Sequence, residues 1–140
     1  MARFALRERR PIAVVVLVVA AGLGVAAAQA PPLVVKRSTR AGHEVLVRGF
    51  AEFDASCKLK RVQTITVAVP PTGGSVETRP GDVVIGPNWV GAGDCQGKTL
   101  RGVNVVYVPA LGFTGADRFA LDVGYSAGQT VRAEVEGLVR

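Results

Sequence analysis

The sequence predicts an all-β protein, an antiparallel two-sheet sandwich of about seven strands held by one disulfide. Three observations carry that prediction. Apolar and polar residues alternate with a period of two over several short stretches, the repeat of a strand with one face in a core and one in water. Most of these stretches are closed by Gly or Pro, and none beyond residue 28 keeps a helical period for more than two turns. Cys57 and Cys95 are the only cysteines.

The strands are expected downstream of an export signal. Arg3, Arg7, Arg9 and Arg10 face a single acid, Glu8, and an apolar run from Ile12 follows, ending in Ala26-Ala27-Ala28. A basic head, an apolar middle and a small-residue end are the parts of a secretory signal. Cleavage is expected after Ala28; a cut after Ala30 would leave Pro31 at the new terminus. An uncleaved anchor is the alternative. Against it, the 17 residues Ile12–Ala28, taken as a helix, span about 26 Å, short of the ~30 Å hydrocarbon layer. The expected location is therefore periplasmic or secreted, with no stable membrane span after cleavage.

Removing residues 1–28 leaves 112 residues, enough for one domain. The remainder keeps 13 basic and 10 acidic side chains, a net charge of +3 against +6 for the whole chain. Much of the basicity thus sits in the leader, and nucleic acid is not an expected partner. Two cysteines in an oxidising compartment read as a disulfide. A zinc site is excluded, because four ligands are needed and His43 is the only histidine.

Element by element, residues 29–42 carry Pro31-Pro32 and Lys36, Arg37 and Arg40, and read as an extended lead-in to a domain over 43–140. Residues 44–53 form a strand bent by a bulge at Gly49. Over 61–69, Ile65, Val67 and Val69 share one face, and Pro70-Pro71 ends the run. Short strands at 74–79 and 82–86 flank Pro80-Gly81, a turn signal. Val103, Val105 and Tyr107 line one side of 100–108. Phe119, Leu121, Val123 and Tyr125 then alternate with Arg118, Ala120, Asp122 and Gly124, and Val131, Ala133 and Val135 repeat the pattern after the loop Ser126-Ala127-Gly128-Gln129.

Tyr107-Val108-Pro109, followed by Gly112-Phe113-Thr114-Gly115-Ala116-Asp117-Arg118-Phe119 and by Leu121 and Val123, resembles the C-terminal half of bacterial immunoglobulin-like and cadherin-like domains. Pro70 with Gly74-Ser75-Val76 is similar to a strand start upstream in the same group. The resemblance covers about half of the chain after the leader. It implies an immunoglobulin-like sandwich outside the cytoplasm and no single activity. In physical terms, Phe113 plugs the core beneath a corner and Asp117 caps turn amides. The pattern departs from antibody domains: Trp89 lies close to the second cysteine, and Gly93 stands two residues before Cys95. The Cys57–Cys95 bond is therefore expected to tie the 87–99 loop to the chain just before residue 60.

No residue set points to catalysis. His43 stands next to Glu44 at a strand start, both cysteines are taken, and Ser38, Ser56, Ser75 and Ser126 have no nucleophile-elbow context. Gly91-Ala92-Gly93 lacks the helix a phosphate loop needs. Asp54, Asp82, Asp94, Asp117 and Asp122 are too dispersed in sequence for the six to eight oxygens of calcium, and read as turn caps. No cofactor or metal is implied. The binding candidates are Asn88 and Trp89, in a glycine-rich loop over 86–99 anchored by Cys95, and the basic Lys58, Lys60 and Arg61, with Lys36, Arg37 and Arg40 beyond them. The expected function is a non-enzymatic envelope protein serving as a binding or structural module. Its partner is an envelope protein or an anionic or glycan polymer; the alternative is a carbohydrate- or cell-wall-polymer-binding domain using the Trp89 loop.

Overall fold

The computed structural model describes residues 31–140 apart from 88 and 90; the expected signal segment lies outside the described residues. Among the described residues nine strands form: β1 (Leu33–Thr39), β2 (Val45–Phe50), β3 (Glu52–Phe53), β4 (Leu59–Arg61), β5 (Thr64–Val69), β6 (Gly74–Val84), β7 (Thr99–Pro109), β8 (Gly115–Gly124) and β9 (Thr130–Val139). They build a four-stranded sheet in the order β1-β9-β8-β5, a three-stranded sheet in the order β2-β7-β6, and a small β3-β4 hairpin. The fold is all-β. Among the described residues no helix is long and apolar enough to cross a membrane.

The period-two stretches become the facing surfaces of the two large sheets. Phe119, Leu121 and Val123 of β8 and Ala133, Val135 and Val139 of β9 are buried on one side of the core; Val47, Phe50, Val103, Val105 and Tyr107 are buried on the other. β7 is the central strand of its sheet, so a β-branched run there is sheltered on both edges.

Four features differ from the sequence reading. Residues 33–39 are not a lead-in: β1 is an edge strand running parallel to β9, with Val35 buried in the core. Pro80-Gly81 does not turn, and β6 runs on through it beside β7 from Gly74↔Pro109 to Val84↔Thr99. A proline is tolerated because β6 is an edge strand, where the missing N–H faces away from the ladder. On β5, Val67 and Val69 are exposed: the strand is the open edge of its sheet, and its register shifts beyond Val67.

The fourth difference matters most. The bulge of β2 lies not at Gly49 but between Leu46 and Arg48, leaving Val47 as the extra residue. Beyond it Arg48 pairs with Val105 and Phe50 with Val103, both core-facing. The bulge turns the Arg48 side chain toward the interior side of the sheet. Gly49 serves another purpose: a Cβ there would lie 2.8 Å from the Val83 side chain.

The sheet-to-sheet corner is fastened at Asp117, which is only 3 % exposed. Its carboxylate accepts the Tyr107 hydroxyl at 2.7 Å, the Gly73 amide at 2.8 Å, the Thr72 amide at 3.0 Å and the Thr72 hydroxyl at 3.1 Å. Residues 70–73 are the crossover from β5 in one sheet to β6 in the other. Asp117 thus caps turn amides as expected, and does so across sheets. Burial pushes the carboxyl up, but these donors together outweigh it and hold Asp117 below the usual carboxylate range. Burial and the neighbouring Asp117 push the Tyr107 phenol up.

Candidate functional site

At one end of the sandwich the disulfide builds a second, smaller core. Cys57 sits in the β3–β4 turn and Cys95 in a short 3-10 turn, Gly93–Cys95, with their Cα atoms 5.3 Å apart. The bond joins the long 85–98 loop to the chain just before β4, as the sequence predicts. Ile85, Ala92 and Cys95 are buried there, with Phe53, Cys57, Trp89 and Leu100 packed around them. Cys57 adopts φ 62°, a left-handed backbone that a non-glycine residue holds only when its surroundings fix it. Asp54 supplies part of that fixing, accepting from the amides of Ser56 (2.9 Å) and Lys58 (3.0 Å).

Between this small core and the main one lies a cavity of about 530 Å³. Leu33, Ala51, Phe53 and Val131 give it apolar walls, and Arg48, Glu52, Trp89 and Tyr125 supply its polar and aromatic groups. The Arg48 guanidinium carbon lies 5.0 Å from the centre of the Trp89 ring and 5.9 Å from that of Phe50. Trp89 also stacks on Phe53, with ring centres 6.5 Å apart. Burial pulls the Arg48 group down from its usual range, while the Tyr125 phenol beside it is pushed up by burial.

The hydrogen-bonding of Arg48 is incomplete. Its Nε is buried without a hydrogen-bond partner among the described residues. Glu52 lines the same cavity but is engaged elsewhere: it accepts from the Ser126 amide at 2.9 Å and from the Ser126 hydroxyl, and pairs with Lys60 at 3.4 Å. The Ser126 hydroxyl and amide, then Lys60, hold Glu52 below the usual carboxylate range. The cavity therefore contains a half-buried cation and an acid whose oxygens are already engaged by Ser126 and Lys60.

Of the residues singled out in the sequence, Trp89 lies in this wall and is half-buried, while Asn88 falls outside the described residues. Lys60 reaches the rim through Glu52, and Arg61 through the Tyr125 carbonyl at 3.4 Å. Lys58 is exposed on the β3–β4 turn and does not line the cavity. Lys36 pairs with Glu136 over a separate, shallower hollow beside β1 and β9. His43 and Arg40 are exposed. Asp82 and Asp122 pair with Arg101 and Arg132. Among the described residues, no three His, Cys, Asp or Glu side chains gather as a metal site. Sequence reasoning missed Arg48, Phe53 and Tyr125 as site residues. The available signal was a lone cation inside an otherwise apolar strand, but only the bulge reveals which way it faces.

No family model matches this chain, and no curated protein matches it.

Proposed function

We propose that this protein is a non-enzymatic exported module of the immunoglobulin-like type that binds a ligand in the cavity walled by Arg48, Trp89 and Tyr125. One observation carries the reading: an arginine aimed inward by a β-bulge, stacked against aromatic rings, with its buried Nε unpartnered among the described residues. Folding alone gains nothing from such a group, because a buried donor without a partner costs about 1–3 kcal/mol, and local violations of this kind concentrate at functional sites.

Export is supported by the basic-then-apolar leader and by the disulfide, which suits a non-reducing compartment. The immunoglobulin-like assignment is supported by the strand order: three strands packed on four, with the first strand parallel to the last. Binding rather than catalysis is favoured because the cavity joins one cation to apolar walls and an acid engaged by Ser126 and Lys60. The glycan-binding reading rests on Trp89 being half-buried at the cavity, yet its ring is already in contact with Arg48 and Phe53.

A photoreactive residue placed at Gln129, on the cavity rim, tests the module reading in intact cells of the source organism. It should give a discrete adduct that a probe at Thr78, an exposed position on the β6 edge, does not. Equal labelling from both positions, or no adduct from Gln129, would rule the cavity out as a binding site.

A further inference from the structure

We infer that the cavity is built for an organic carboxylate with an apolar body, such as the free C-terminus of a peptide ending in an apolar residue, the carboxylate pairing with Arg48. The inference deepens the proposed function and rests on it.

The argument begins with the guanidinium. A guanidinium lying over aromatic rings keeps its N–H groups in its own plane, where they remain free to donate. Arg48 lies over Trp89 and near Phe50, so its donating edge is not consumed by the rings. A planar carboxylate is the complementary acceptor for that edge, through two parallel N–H···O bonds. The acid lining the cavity does not serve, because Glu52 is held by Ser126 and Lys60. An incoming carboxylate would meet a positive surround, since Lys60 and Arg61 stand at the rim and Arg37 is close enough to bear on Arg48.

The remaining walls define the rest of the ligand. Beside the polar tips of Tyr125 and Gln129, Leu33, Ala51, Phe53 and Val131 offer no hydrogen bonds from their side chains, so most hydroxyls of a sugar-like body would be desolvated there without return. An apolar body loses nothing. At about 530 Å³, within the usual range for small-ligand sites, the space exceeds what one carboxylate requires. The ligand is therefore amphipathic, with its charge at one end. A sugar acid would satisfy Arg48 but not these walls.

Trp89 is the only tryptophan in the chain, so its emission reports on this cavity. The test titrates the purified protein with N-acetylleucine and with N-acetylleucinamide, which share a body and differ by the charge. D-glucuronate is the third probe. N-acetylleucine should shift Trp89 emission saturably, and the amide should bind at least tenfold more weakly. Arg48→Met should abolish the difference between acid and amide while unfolding at an equal or higher urea concentration than the wild type. Arg48→Lys, which keeps charge but loses the fork, should bind the acid more weakly than wild type. Equal binding of acid and amide by the wild-type protein would overturn the inference without recourse to any variant. Binding of glucuronate with no response to N-acetylleucine would overturn it in favour of the glycan reading. Silence from all three probes while the Gln129 adduct persists would overturn the carboxylate inference and leave the binding module standing.

Discussion

Replacing Asp117 by alanine should cost this fold about 3–5 kcal/mol, and the figure follows from which donors are left behind. Hydrogen bonds to a charged partner contribute about 1.5–3 kcal/mol each, and a buried polar group left unpaired costs about 1–3 kcal/mol. Asp117 holds two donors that water cannot readily reach: the hydroxyl of Tyr107, a residue 2 % exposed, and the amide of Gly73. The Thr72 and Arg118 amides lie nearer the surface and add less. Tyr107→Phe removes one donor but leaves the carboxylate its other partners, and should cost about 1.5–3 kcal/mol. In the double variant no phenol is orphaned, so its cost should fall short of the sum by about 1–2 kcal/mol. Urea unfolding of the four proteins, followed by Trp89 emission, measures the cycle. If Asp117→Ala costs under 1 kcal/mol, or if the two substitutions simply add, the corner is not held by this carboxylate and the reasoning fails.

The same group sets a pH dependence. Because the folded state lowers the Asp117 pKa, its stabilisation is present above the unfolded value of about 3.9 and lost as pH falls through the folded value; the urea midpoint of wild type should drop on acidification below about pH 4, and that of Asp117→Asn should drop less. Replacing Cys57 and Cys95 together by alanine opens a loop of 38 residues and should cost about 4 kcal/mol, with Trp89 emission moving toward that of exposed indole before the global transition; an unchanged spectrum in the folded variant would show that the bond does not hold the cavity wall. Gly73→Ala places a Cβ 2.4 Å from the Phe113 ring and should destabilise by about 1–3 kcal/mol, and Phe113→Leu in the same chain should recover part of the loss in thermal unfolding.

The sequence was most legible where the period of two is uninterrupted. β8 and β9 follow it closely and β7 less cleanly, and most of the core is made of their inward positions. The motif around Phe113 and Asp117 also stands where the corner needs it. Reading failed at edges and irregularities. Pro80-Gly81 is a sound turn signal in isolation, and only the edge position of β6 neutralises it. β1 was obscured by its prolines and cations, because an edge strand beside β9 need bury only Val35 and part of Leu33. The site failed for a related reason. Strict alternation places Arg48 on the water side with Leu46, and one extra residue at Val47 reverses it. A register shift leaves no mark in composition, so Trp89 was found by residue type and Arg48 was not.

The parallel pairing of β1 with β9 has a mechanical consequence. The seven pairs run from Leu33↔Ala133 to Thr39↔Val139, so the incoming and outgoing ends of the chain leave this pair at opposite ends, about 20 Å apart at a strand rise of ~3.3 Å per residue. Tension applied at Leu33 and Val139 pulls the two strands past each other, loading all their cross-links together instead of one after another as a zipper would. Leu33, the residue nearest the load at one end, also lines the cavity beside Arg48 and Trp89.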